Sequence, residues 1–180
     1  MIVKPNSSMR LDLFADADFA GLFCCESKDG ATSVKSRTGW VTTLDEVPET
    51  WSSKHQSEIA LSTMEPEYIT LSTGMRELVG LRKLVKELEE NKIIEKCGVS
   101  TVSKVWEEND AALKHAVMLL PKLTPRTKHI GVKYHWFKSK LKPGRLECHL
   151  VKTKLQKADI FTKGLVKGEF KRKRKLLMGW

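Results

Sequence analysis

Apolar residues alternate with polar ones from Leu11, through Leu13 and Phe14, and this predicts a β-strand that ends near Asp16. Residues 22–32 are polar and contain glycine, which predicts a loop. Val34, Trp40, Val41, Thr42 and Thr43 suit a second strand over Ser33–Leu44, and Pro48 marks a turn over Asp45–Glu49. A third strand is expected over Thr50–Ile59, so the first three form an antiparallel meander. Ser62-Thr63 followed by Glu65, Pro66 and Glu67 reads as a helix start. Proline is tolerated in that first turn, because the N–H it lacks would have no helical partner there. Leu71, Met75, Leu78, Val85 and Leu88 then recur at three and four residues, predicting a helix over Glu65–Glu90. Beyond it the pattern gives a strand over Thr101–Glu107, a short helix over Asp110–Met118 and a connection holding Pro121 and Pro125. A helix over His129–Leu141, a strand over Leu146–Val151 and a final helix over Lys157–Leu177 complete the series. Three strands, a helix, a strand, two helices, a strand and a helix make an α/β fold: a five-stranded mixed sheet flanked by helices.

Composition narrows the class. The chain has 180 residues, enough for one domain with a core of its own. It is 41% hydrophobic and 30% charged, which excludes a fully disordered chain. No apolar run approaches a membrane span, and the N-terminus lacks the apolar core of a secretory signal, so an intracellular protein with no membrane association is expected. Cys24 and Cys25 are adjacent while Cys97 and Cys148 stand alone, so neither a disulfide framework nor a zinc spacing is present. The net charge is +10, and most of the excess follows Lys114, which points to a polyanionic partner. Arg126, Lys128, Lys133, Lys138 and Lys140, close to Trp136 and Phe137, are candidate phosphate contacts. For the run Lys171–Lys175 three readings stay open: nucleic-acid contact, a nuclear localisation run, or a solvated helix end.

Four acids stand where the predicted elements begin or end. Asp16 closes the first strand, Glu67 lies in the first turn of the long helix, Glu108 follows the fourth strand and Asp159 opens the last helix. Strand ends and helix starts converge on one edge of an α/β sheet. Carboxylates gathered there repel one another, and a hard divalent cation with oxygen ligands relieves that repulsion. Two such cations suit phosphodiester hydrolysis.

Six blocks carry a resemblance: FADADFAG (Phe14–Gly21), VKSRTGW (Val34–Trp40), WSSKHQSEIALSTMEPEYITLS (Trp51–Ser72), VWEENDAALKHA (Val105–Ala116), TPRTKHIGVKYHWFKSKL (Thr124–Leu141) and QKADIFTKGL (Gln156–Leu165). In this order they resemble the ribonuclease H domain of copia-type LTR retrotransposon polyproteins, over nearly the whole chain. The resemblance implies a ribonuclease H-like fold, with its first three strands antiparallel. It implies a single domain over 1–180, with 1–10 an upstream linker remnant, 11–165 the core and 166–180 a basic C-terminal helix end. It further implies hydrolysis of the RNA strand of RNA/DNA hybrids during reverse transcription. The partners would be the hybrid and the reverse transcriptase portion of the polyprotein, in a cytoplasmic particle or the nucleus. The cofactor would be two Mg²⁺ ions, with Mn²⁺ possible, held by Asp16, Glu67, Glu108 and Asp159 as the catalytic quartet. At the third position the family has Asp-Asn-Gln, and this chain has Glu108-Asn109-Asp110. The longer Glu108 keeps open a second expectation, a degenerate domain that binds nucleic acid and cuts weakly or not at all.

Overall fold

A computed structural model of the chain describes residues 10–21, 33–94, 102–118 and 134–180. Five strands form one sheet: β1 (Leu11–Asp18), β2 (Arg37–Leu44), β3 (Val47–His55), β4 (Ser103–Glu107) and β5 (Leu146–Leu150). Their spatial order is β3-β2-β1-β4-β5. The first three pair antiparallel, whereas β4 lies parallel to β1 and β5 parallel to β4. The mixed sheet expected from the sequence is therefore the one observed. The predicted turn over Asp45–Glu49 contracts to Asp45 and Glu46, both at positive φ (47° and 71°), and β3 begins at once at Val47. Two left-handed residues match the twist of paired strands, which is why so short a connection closes the hairpin.

Alternation along β1 divides the core in two. Leu11, Leu13 and Ala15 face the long helix α1 (Met64–Glu90), and pack with Tyr68, Leu71, Met75 and Leu78. Phe14, on the other face, packs with Val41, Val151, Ala158 and Leu177. Leu177 belongs to the C-terminal helix α3 (Lys167–Met178), so this helix covers the second face. The short α2 (Asp110–Val117) closes the α1 side with Ala112 and Ala116. Helix α1 lies close to the sheet at Gly74, where a Cβ would sit 2.9 Å from Leu13 Cδ1.

The start of α1 follows the pattern read from sequence with one change. Thr63 makes no side-chain cap; instead Glu65 reaches back and accepts the Leu61 N–H at 2.7 Å. Pro66 lies in the first turn, and its carbonyl accepts from Gln56 Nε2 at 2.9 Å, tying the end of β3 to the helix.

Two predicted helices differ. The described part of 129–141 is a 3-10 turn over His135–Lys140, preceded by Tyr134, while 129–133 lies outside the described residues. The helix expected over Lys157–Leu177 is broken into a 3-10 turn, Ala158–Phe161, and α3. Contacts across the fold stop the first piece: Ser53 Oγ donates to the Phe161 carbonyl at 2.6 Å, and Thr162 Oγ1 donates to Asp16 Oδ2 while lying 3.2 Å from the Asp159 carbonyl. A further 3-10 turn, Thr153–Leu155, links β5 to this region.

Candidate metal centre

Parallel pairing brings the first carboxylates together. Phe14 is level with Trp106, so Asp16 and Glu108 each lie two residues beyond the same pair, at the C-terminal ends of adjacent strands. Even positions of both strands share a face, the one covered by α3 and the Ala158–Phe161 turn. Asp159 sits in that turn. One carboxylate oxygen from each of Asp16, Glu108 and Asp159 lies within 4.8 Å of the others. Asp16 and Asp159 are buried and Glu108 is half-buried.

Glu67 enters from α1. Its carboxyl is buried and is pushed up to about 10, first by burial and then by the charges of Glu107 and Asp16. Glu107 is the acid that the sequence reading missed. It precedes Glu108 on β4, and alternation turns it to the opposite face, toward α1. It is fully buried and is raised to about 8 by burial, with Asp16 and Glu108 adding to the shift and the N–H of Asn109 opposing it. That N–H donates to Glu107 Oε1 at 2.9 Å. The signal for Glu107 was present: Val105 marks the inward phase of β4, so a charge at 107 occupies a position where burial is costly.

Neighbours hold the other carboxylates. Lys163 Nζ donates to Asp16 Oδ1 at 3.1 Å and to Asp159 Oδ1 at 2.7 Å. Thr162 Oγ1 bonds Asp16 Oδ2, and Lys173 Nζ pairs with Asp159 Oδ2. Thr153 Oγ1 donates to Glu108 Oε1 at 2.8 Å. Gln156 Nε2 donates to the Ala15 carbonyl at 2.7 Å, which pins the segment carrying Asp159 beside Asp16. Even with these partners Asp16 is raised to about 6, because burial outweighs Lys163 and Thr162. Burial works against the Lys163 ammonium, but Asp16 and Asp159 prevail and its pKa is raised.

The donor set suits a hard divalent cation. The candidate ligand atoms of Asp16, Glu108 and Asp159 are all carboxylate oxygens. Glu67 Oε2, Glu107 Oε2 and Glu108 Oε2 are buried and take no hydrogen bond. Buried oxygens without donors, beside acids forced toward their protonated forms, are relieved by a cation. Asp16, Glu108 and Asp159 would hold it; Glu67, on α1, lies outside this group of three and interacts with the charge of Asp16.

Of the five basic candidates, Lys138 and Lys140 are among the described residues. Arg126, Lys128 and Lys133 lie outside the described residues. Lys138 is half-buried and donates to the Met118 carbonyl at 3.2 Å, while Lys140 is exposed. His135 packs against Tyr68 and His115. Burial, aided by Lys138, lowers it to about 4, so it is a neutral packing group. Among the described residues no helix is long and apolar enough to cross a membrane.

No protein-family model matches the chain. Among curated proteins it is 28% identical over 159 residues, 87% of its length, to the retrovirus-related Pol polyprotein from transposon TNT 1-94 of Nicotiana tabacum. It is 27% identical over 170 residues, 94% of its length, to that from transposon RE1 of Arabidopsis thaliana. The chain spans about a tenth of the length of these relatives. Among solved structures it resembles the N-terminal RNase H domain of Rv2228c from Mycobacterium tuberculosis, with a TM-score of 0.56, 13% identity and coverage of 93% of this chain and 98% of that one. It also resembles LC11-RNase H1, solved in complex with an RNA/DNA hybrid, with a TM-score of 0.50, 14% identity and coverage of 85% and 94%. At such identities the structural likeness speaks for the fold. The strand order, the parallel β1–β4 pair and the two sets of relatives agree: the chain is a relative of the Pol polyproteins of copia-type plant transposons, built on the ribonuclease H fold.

Proposed function

We propose that the chain is a ribonuclease H that hydrolyses the RNA strand of RNA/DNA hybrids, acting beside a reverse transcriptase in an intracellular particle or the nucleus. The observation that carries this reading is the convergence of Asp16, Glu108 and Asp159 within 4.8 Å at the end of the sheet. Two Mg²⁺ ions, or Mn²⁺, bound by these residues with Glu67 would supply Lewis acidity toward the phosphate and the attacking water. The chain's own groups prepare the site. Thr162 and Lys163 orient Asp16, Thr153 orients Glu108, and Lys163 offsets the carboxylate charge. Glu67 and Glu107 hold protons at neutral pH until a cation replaces them. Arg126, Lys128, Lys133, Lys138 and Lys140 would follow the phosphates of the hybrid.

The test is cleavage of a labelled hybrid with Mg²⁺ and with Mn²⁺. Cleavage that Asp16→Asn abolishes supports the reading. Salt-sensitive binding without cleavage in either metal overturns it, in favour of a domain that only binds nucleic acid. That second reading draws on Glu108, one methylene longer than aspartate, because a misplacement of about 1 Å costs about a hundredfold in rate. A large gain in rate in Glu108→Asp would locate the defect there.

A further inference from the structure

The basic run Lys171–Lys175 is not uniform. Lys171, Arg172 and Lys175 are exposed, whereas Lys173 is 1% exposed and is one of the largest fully buried side chains among the described residues. Lys173 and Leu177 are one helical turn apart and so share a face of α3. Leu177 enters the apolar cluster of Phe14, Val151 and Ala158, and this carries Lys173 under the loop before Asp159. There the ammonium meets three acceptors: the Thr153 carbonyl, the Gln156 carbonyl at 2.9 Å, and Asp159 Oδ2. An ammonium has three protons, so all are used. A buried cation is costly unless it is paired and fully hydrogen-bonded, and this one is.

Each acceptor leads to the candidate centre. Asp159 supplies one of its carboxylates directly. Thr153 donates its hydroxyl to Glu108 Oε1 at 2.8 Å. Gln156 bonds the Ala15 carbonyl, next to Asp16, at 2.7 Å. By engaging Asp159 Oδ2, Lys173 leaves Oδ1 for the side on which Lys163 and Asp16 lie.

We propose that Lys173 is a positioning residue for the carboxylate centre: from α3 it fixes the orientation of Asp159 and, through Thr153, that of Glu108. This rests on the reading of the centre as a cation site. Groups that orient metal ligands cost roughly 10–100-fold in metal affinity when removed.

The experiment titrates the full chain with Mn²⁺ by isothermal calorimetry, well below the unfolding temperature of each variant. Lys173→Met keeps the volume and drops the charge, and its Mn²⁺ affinity is expected to fall roughly 10–100-fold. In an Asp159→Asn background the same change is expected to add less than about threefold, since coupled residues are non-additive. A folded Lys173→Met protein whose Mn²⁺ affinity is unchanged or higher overturns the inference, because an anchor of α3 alone would move only the unfolding temperature. If Lys173→Met does not fold, Lys173→Gln, which keeps donors for the two carbonyls, is judged by the same criterion. Wild-type affinity in Asp159→Asn would instead overturn the cation-site reading itself. A loss in Asp159→Asn with none in the Lys173 variant overturns the positioning role alone.

Discussion

Glu67 and Glu107 make the stability of the cation-free protein depend on pH in a direction opposite to that of most acidic pairs. Both carboxyls are raised on folding, to about 10 and about 8, from ordinary values near 4.5. A raised carboxyl contributes stability that is complete below its unfolded pKa and is lost as pH rises through its folded pKa. The informative window is pH 6.5–8. Below it the half-buried His115 and His135, whose folded values are lowered, act in the opposite sense. Between pH 6.5 and 7 the unfolded chain has released both glutamate protons and the native protein retains nearly both. At about 1.4 kcal/mol per proton per pH unit, stability falls by up to about 2.7 kcal/mol per pH unit. The slope eases above pH 8, where native Glu107 titrates. Glu107→Gln removes one of the two protons and is expected to reduce the slope to about 1.4 kcal/mol per pH unit and to stabilise the protein at pH 8. Urea denaturation in EDTA, followed by circular dichroism at half-unit pH steps, measures both quantities. Saturating Mg²⁺ should flatten the wild-type curve, because a bound cation favours the charged carboxylates. A stability that is level or rises from pH 6.5 to 8 without cations would refute the reasoning, since it would mean that the two acids are ionised in the native protein.

Packing around the centre yields two further expectations. At Gly39, level with Asp16, a Cβ would fall 2.3 Å from Thr162 Cγ2 and 3.0 Å from Phe161 Cβ. Gly39→Ala should therefore cost about 1–3 kcal/mol in thermal denaturation and weaken Mn²⁺ binding by displacing the turn that carries Asp159. Phe137 is fully buried against Tyr68, with ring centroids 5.4 Å apart. Phe137→Ala should cost about 3–5 kcal/mol in urea denaturation, and a loss below about 1 kcal/mol would show that the α1 side of the core does not depend on it.

The parts of the fold that were legible in the sequence are those governed by local periodicity. Alternation in Leu11–Phe14 and the three-four spacing from Leu71 to Leu88 each follow from the geometry of a single element. Asp16, Glu108 and Asp159 were legible because each stands at the boundary of such an element. The rest depends on distant partners. Ile160, Phe161 and Leu165 keep a helical rhythm, but hydrogen bonds from Ser53 and Thr162 stop the turn after Phe161. Lys173 reads as one charge among five until Leu177 and Asp159 are seen on either side of it. Glu107 was visible as a charge in an inward phase, yet Asp16 from β1 and Glu67 from α1 become its neighbours only in the fold.

The strand order has a kinetic consequence. β1, β2, β3 and α1 are contiguous in the chain, so Asp16 and Glu67 can be placed by contacts close in sequence. The remaining acids arrive only when β4 joins β1, pairing Leu13 with Val105, and when the Asp159 turn closes over both. Such distant pairings form slowly. Carboxylate repulsion is therefore deferred to the later steps of folding, and a cation gains its full set of ligands only after them. Interactions absent from the transition state slow unfolding and leave folding unchanged. In stopped-flow experiments Mg²⁺ should thus lengthen the lifetime of the native protein without altering its refolding rate, acting as a latch on a structure already formed.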